Sequence, residues 1–160
     1  MSQKRFNPVK KEKLFNDDRM ERLKPKESLK KFGLKEGHKF ADIGAGNGFF
    51  AIPAAEIVKD KGMVYAVDIE NLMLADLISR AKEKGVSNRI EIIKSTEYAA
   101  HLTEKVDFML FSYLIHEVDK KEFFLDNYFR YLKEGSKVVF VEWSKKEEVE
   151  GPPYEHRISR

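Results

Sequence analysis

Apolar residues along this 160-residue chain fall into two kinds of pattern. Short, near-continuous runs such as VYAV, DFMLF and VVFV suit strands buried on both faces. Longer stretches repeat their apolar positions at helical spacing. Ahead of Gly37, segment 16–37 predicts a helix, a break at Pro25 and a second helix stopped by Gly33. Strands are predicted over 38–44, 63–69, 88–95, 105–112 and 137–143. Helices are predicted over 48–62, 70–85 and 119–135, with a short one over 98–105. In the helix over 70–85, Leu72, Met73, Leu77, Ile78 and Ala81 form one stripe.

Strands alternating with helices imply parallel neighbours, because parallel pairing needs crossover connections. Right-handed crossovers favour an α/β, Rossmann-like, doubly wound sheet of five strands in the order 3-2-1-4-5. Ligands bind such sheets at the C-terminal ends of the strands. Asp42, Gly44, Asp68, Ser95, Thr96, Ser112 and Glu142 all fall at those ends.

Composition narrows the class. The chain is 42% hydrophobic and 12% aromatic, which suits one globular domain over 1–160. It has no cysteine, no apolar run of membrane-span length and no signal-peptide core, so a reducing cytoplasmic location is expected. Charge is uneven. Residues 1–39 hold thirteen Lys/Arg against six Asp/Glu, a surplus of +7, while residues 40–160 carry −4. Segment 1–36 thus reads as a basic helical arm on a core over 37–143, with 144–160 as a tail or substrate lid. The Lys/Glu-rich surface, with 36% charged residues, resembles those of thermophiles.

The stretch FADIGAGNGFF carries the chemistry. A dinucleotide fingerprint needs G-x-G-x-x-G, but here Phe49 stands in the third glycine position. A pyrophosphate would also meet Asp42 as a like charge. A cofactor bearing a sulfonium and an ammonium would welcome that carboxylate, and S-adenosylmethionine is such a cofactor. Glycines at 44, 46 and 48 allow close approach of backbone. Asp68 ends the second strand, where a carboxylate can accept two hydrogen bonds from a ribose diol.

FADIGAGNGFF, VYAVDIENLML, IEIIKSTEYA, DFMLFSYLIHEV and VVFVEW together resemble the successive motifs of class I S-adenosylmethionine-dependent methyltransferases. The closest resemblance is to the small-molecule branch, similar to ubiquinone/menaquinone biosynthesis and type-11-like enzymes. The leader FNP…KLFNDDR and the tail GPP…HR also resemble that group. The resemblance implies that Asp42, Gly44, Ala45 and Gly46 line the methionine end and Asp68 the ribose. Ile69 with Leu72 or Met73 would pack on adenine, and Ser112 and Tyr113 would hold the ammonium. Thr96 stands where the family commonly has an acid, so either Thr96 or Glu97 would meet the adenine amino group.

Methyl transfer needs a general base only where the nucleophile arrives protonated. His116, in SYLIHEV, is the candidate; the alternative is a packed polar residue that caps the next helix. His116, Glu117 and Glu142 lack the spacing of a metal site, and no metal is expected. Family members normally add a strand 6–7 hairpin, but only seventeen residues follow Trp143. The fifth strand would then be an exposed edge in a truncated form, or one covered by a partner, which suggests a homodimer. The expected function is methyl transfer to a small molecule, with no membrane partner. Transfer to RNA through the basic arm, and non-catalytic cofactor binding, are the alternatives.

Overall fold

A computed structural model describes residues 17–144 and 152–157. The leader before Asp17 and most of the tail lie outside the described residues. The chain order is α1 (Asp17–Leu23), α2 (Pro25–Phe32), β1 (Lys39–Ile43), α3 (Ala51–Val58), β2 (Met63–Asp68), α4 (Asn71–Glu83), β3 (Ile90–Lys94), β4 (Val106–Ser112), α5 (Lys121–Phe129) and β5 (Leu132–Val141). All four pairings are parallel, in the order β3-β2-β1-β4-β5, as the alternation predicts.

Local chemistry explains the first boundaries. Pro25 occupies the first turn of α2, where its missing N–H would be unpaired anyway. Gly33, at φ 100°, ends the helix: its N–H donates to Lys30 and the Leu34 N–H donates to Leu29. Leu34 then buries beneath α2.

The sheet separates two cores. On one face α2, α3 and α4 cover Phe40, Val64, Ala66, Phe108 and Leu110. On the other, α5 and the segment before β4 cover Ala41, Ile43, Val67, Met109 and Phe111. Phe111 anchors this second core, with the Tyr128 ring edge-on at 5.8 Å and Phe140 stacked at 5.1 Å.

Three expectations are corrected. Segment 98–105 forms no helix. Ala100 and Leu102 are buried on either side of His101, which adopts φ 53° and so breaks any helix, and the Thr103 hydroxyl donates to Glu91. The helix over 119–135 stops at Phe129 because Tyr131 turns to pair with β4, its carbonyl accepting the Val106 N–H. Gly135 therefore lies within β5 at φ 73°, inside an irregularity that shifts register from Val106↔Leu132 to Phe108↔Lys137. In α4 the buried stripe is Met73, Leu74, Leu77 and Ala81, while Leu72 and Ile78 face outward.

Candidate functional site

The chemistry-bearing residues gather where β1, β2, β4 and β5 end. Asp42 lies on the α3 side of β1, in a strand otherwise apolar from Phe40 to Ile43. It is 1% exposed, and neither carboxylate oxygen has a well-formed hydrogen bond. Burial first, and then the charge of Asp68, pushes its carboxyl up to about 7. The Ala51 amide, at the start of α3, and the Arg19 guanidinium pull the other way. A carboxylate held this way favours an arriving cation.

Asp68 is placed differently. Its Oδ2 accepts the Gly46 N–H at 2.7 Å and its Oδ1 accepts the Glu70 N–H at 2.9 Å. Burial still raises its pKa against these bonds. The Ile69 amide adds a third such contact, and a carboxylate with about four acceptor sites still has capacity left. The carboxylate thus braces the glycine loop and can still accept from a diol.

The loop glycines divide their work. Gly44, Gly46 and Gly48 all have positive φ, at 75°, 55° and 93°. A Cβ at Gly44 would stand 3.0 Å from Leu114, so the segment after β4 closes against the loop. At Gly48 it would meet Ile52 at 2.9 Å and Leu77 at 3.0 Å. Gly48 therefore serves the packing of α3 against α4 rather than a ligand. Ala45 is buried beside it, and its N–H donates to the Val67 carbonyl.

At the end of β2, Ile69 is partly buried and its carbonyl accepts from Lys94. Met73 is buried, whereas Leu72 is 64% exposed. Ser95 is buried with its N–H on the Asp68 carbonyl; Thr96 is exposed, and its N–H closes a turn on Ala99. Glu97 is partly buried.

At the end of β4, Ser112 and Tyr113 are partly buried. Tyr113 holds φ 51°, a strained backbone for an aromatic residue, fixed by its N–H on the Val141 carbonyl at 2.7 Å. Its ring lies 5.2 Å from that of Trp143. Beyond it, a single 3-10 turn over Ile115–Glu117 presents His116, 8% exposed. Glu142 bridges this turn, its Oε1 accepting the Ile115 N–H at 2.6 Å and its Oε2 lying 2.8 Å from His116 Nδ1. A carboxylate only accepts, so Nδ1 carries a hydrogen, which in the neutral ring leaves the lone pair on Nε2. Glu117 Oε1 lies 3.9 Å from Nε2.

Sequence reasoning missed Arg19, one of thirteen basic residues in the first 39. Its guanidinium carbon sits 4.3 Å above the Phe49 ring and 5.3 Å from the centre of Tyr113, while Arg22 sits over Trp143 at 5.4 Å. In the tail, Pro152–Arg157 includes a 3-10 turn, and Arg157 is buried with its Nε on the Pro152 carbonyl.

Comparison with known proteins gives a consistent answer. The ubiE/COQ5 methyltransferase family model matches residues 18–155. The ubiquinone/menaquinone biosynthesis C-methyltransferase UbiE of Vibrio parahaemolyticus is 27% identical over 114 residues, covering 71% of this chain and 44% of that protein. The chain thus spans less than half the length of the curated relatives it matches. A SAM-dependent methyltransferase from Aquifex aeolicus superposes with a TM-score of 0.90 at 33% identity, covering 97% of this chain and 82% of that one. A SAM-dependent O-methyltransferase from Thermotoga maritima, at 21% identity and TM-score 0.62 over 73% of this chain and 42% of its own, shares the fold.

Proposed function

The chain belongs to the ubiE/COQ5 methyltransferase family, and from that premise we propose that it transfers a methyl group from S-adenosylmethionine to a small-molecule acceptor. The observation that carries this reading is Asp42, a buried carboxylate with neither oxygen well paired, set beneath a glycine loop. Such a group suits a ligand that brings positive charge and no phosphate. When bound, S-adenosylmethionine supplies an electrophilic methyl on a cationic sulfur.

The chain's own residues take the remaining tasks. Asp42 meets the ammonium end, with the backbone of Gly44, Ala45 and Gly46 and the strand end at Ser112 and Tyr113 around it. Asp68 accepts from the ribose. Ile69, Met73, Thr96 and Glu97 surround the adenine. His116, its Nδ1–H held by Glu142, offers Nε2 to a proton that leaves the acceptor, the role of a general base. Leu114 packed against Gly44 and Arg19 over the Phe49 ring would limit the access of water to this end of the sheet.

Titration calorimetry with S-adenosylmethionine and S-adenosylhomocysteine tests the cofactor, with binding expected for both. A labelled-methyl assay against cell extract split into small-molecule, RNA and protein fractions tests the acceptor. Label in the RNA fraction alone would overturn the small-molecule reading. We further propose that a second copy covers β5, an edge strand none of whose ten residues is buried. A monomer in light scattering would overturn that.

A further inference from the structure

We propose that a hollow at the N-terminal end of the sheet, opposite the site described above, binds a compact oxyanion of the sulfate or phosphate-monoester class through the ammonium groups of Lys35 and Lys137. The inference is independent of the methyltransferase reading. Space, charge and an unsupported imidazole carry it.

The space lies where the connection from α2 to β1 faces the start of β4 and the irregular part of β5. It measures about 260 Å³, and its lining includes Lys35, His38, Asp107, Glu134 and Lys137. One liquid water takes about 30 Å³, so an oxyanion fits with part of its hydration. Gly33 admits the Lys137 ammonium to this wall, since a Cβ there would stand 2.7 Å from Lys137 Nζ.

The charges are unevenly committed. Lys137 donates one N–H to the Phe32 carbonyl at 2.7 Å and has two more to give. Lys35 is exposed and forms no ion pair among the described residues. The carboxylate nearest them is already occupied: Asp107 accepts from Lys133 and from the Lys39 amide, both at 2.8 Å. Glu134 is exposed, and solvent screens its charge. The enclosed part of the hollow is therefore electropositive.

His38 reports on that field. Its Nδ1 is enclosed, and no described residue bonds to it. A ring without that support gains nothing to offset the cost of carrying charge. Burial first holds the imidazole below its ordinary range; Asp107 opposes, while Lys35, Lys133 and Lys137 add to the lowering. Lys61, beyond Gly37 on the turn before β2, bears the same sign. An anion in the hollow offsets these ammonium charges. Binding then draws a proton onto His38 and tightens as pH falls through the titration of the ring.

Proton NMR of the four histidine rings tests this, with His38→Gln to assign the signal. Sulfate is the probe, because it does not titrate near neutral pH, and sodium chloride holds the ionic strength constant. The His38 signal is expected to shift saturably, and sulfate to bind about threefold more tightly below the ring's midpoint than above it. Lys35→Gln and Lys137→Gln are each expected to weaken sulfate by about threefold, and the double variant to lose the saturable shift. Lys35→Gln leaves the bond from Lys137 to α2 in place, so it decides the matter alone if the other variants fold poorly. Glycerol phosphate separates two sources of the same chemistry. Binding of both probes supports a site open to phosphate esters, and binding of sulfate alone supports one for a free oxyanion. A His38 signal that follows sulfate no further than matched chloride overturns the proposal. So does sulfate affinity unchanged in Lys35→Gln.

Discussion

The two ends of the sheet treat the same residue type in opposite ways. Asp107 opens β4 at the N-terminal end, while Asp42 lies near the C-terminal end of the adjacent β1. Burial pushes Asp107 up, but hydrogen bonds from Lys133, at 2.8 Å, and from the Lys39 amide, at 2.8 Å, outweigh it and bring its carboxyl below the usual range. Around it Lys39 pairs with Glu104, and Lys137 donates to the Phe32 carbonyl. At the other end Asp42 is buried deeper and left without a well-formed bond, and its carboxyl rises to about 7. A paired charge stabilises the fold. An unpaired one in the interior weakens it, a cost that under the proposed function a cationic ligand would offset.

The sharpest way to break this comparison is Asp42→Asn. A raised folded pKa means that ionising Asp42 opposes folding. The penalty is absent below the ordinary value of 3.8 and complete above about 7, so wild-type stability falls as pH rises through that window. The variant is expected to resist urea by about 2–4 kcal/mol more at pH 8, and by nothing at pH 3.5. It should also lose at least about tenfold in S-adenosylmethionine affinity by calorimetry. In wild type that affinity is expected to rise as pH climbs through neutrality, since the arriving cation needs the ionised form of Asp42. A variant less stable than wild type at pH 8 would reverse the argument.

Asp68→Ala probes the middle case, a carboxylate that both braces the loop and faces the site. It should weaken cofactor binding by at least about tenfold, or about 1.4 kcal/mol. Unchanged calorimetric affinity would remove Asp68 from the ribose role.

Asp107→Asn is the control from the far end. Its lowered folded pKa stabilises the protein above the ordinary carboxylate range, and that contribution is lost as pH falls through the folded value. Lys133 is 41% exposed, so solvent reduces the pair to about 0.5–1 kcal/mol, read from urea curves at pH 7. Cofactor affinity should not move.

Glu142→Ala has a specific spectroscopic effect. With Glu142 present, the ring nitrogens of His116 should report hydrogen on Nδ1 in 15N spectra at pH 8. Without it the ring is released to sample both tautomers. A wild-type ring already protonated on Nε2 would contradict the orientation by Glu142.

Most of the fold was legible because burial on both faces leaves a local mark. VYAV and DFMLF predict β2 and β4 without any partner in view, and crossover handedness then orders the sheet. Gly33 marked the end of α2 for an equally local reason. Where the prediction failed, a distant partner decided. Segment 98–105 has the composition of a helix, yet Thr103 donates to Glu91 and two alternate side chains bury under the sheet. Gly135 looked like a helix stop until Tyr131 and Leu132 paired with β4 and drew the residue into β5. Of the site, Asp42, Asp68 and the glycine loop were legible because strand ends and spacing announce them.

By itself, then, the chain determined an alternating α/β sheet, the position of a glycine loop at its switch point and two carboxylates beside it. These are short-range properties, written in runs of a few residues. Only the tertiary structure decided that Arg19 lies over Phe49 and Tyr113, that Gly48 serves packing, and that Glu142 reaches back 26 residues to orient His116. Pairing between charges depends on distance in space and on the water removed between them. Neither quantity exists until the strands have come together.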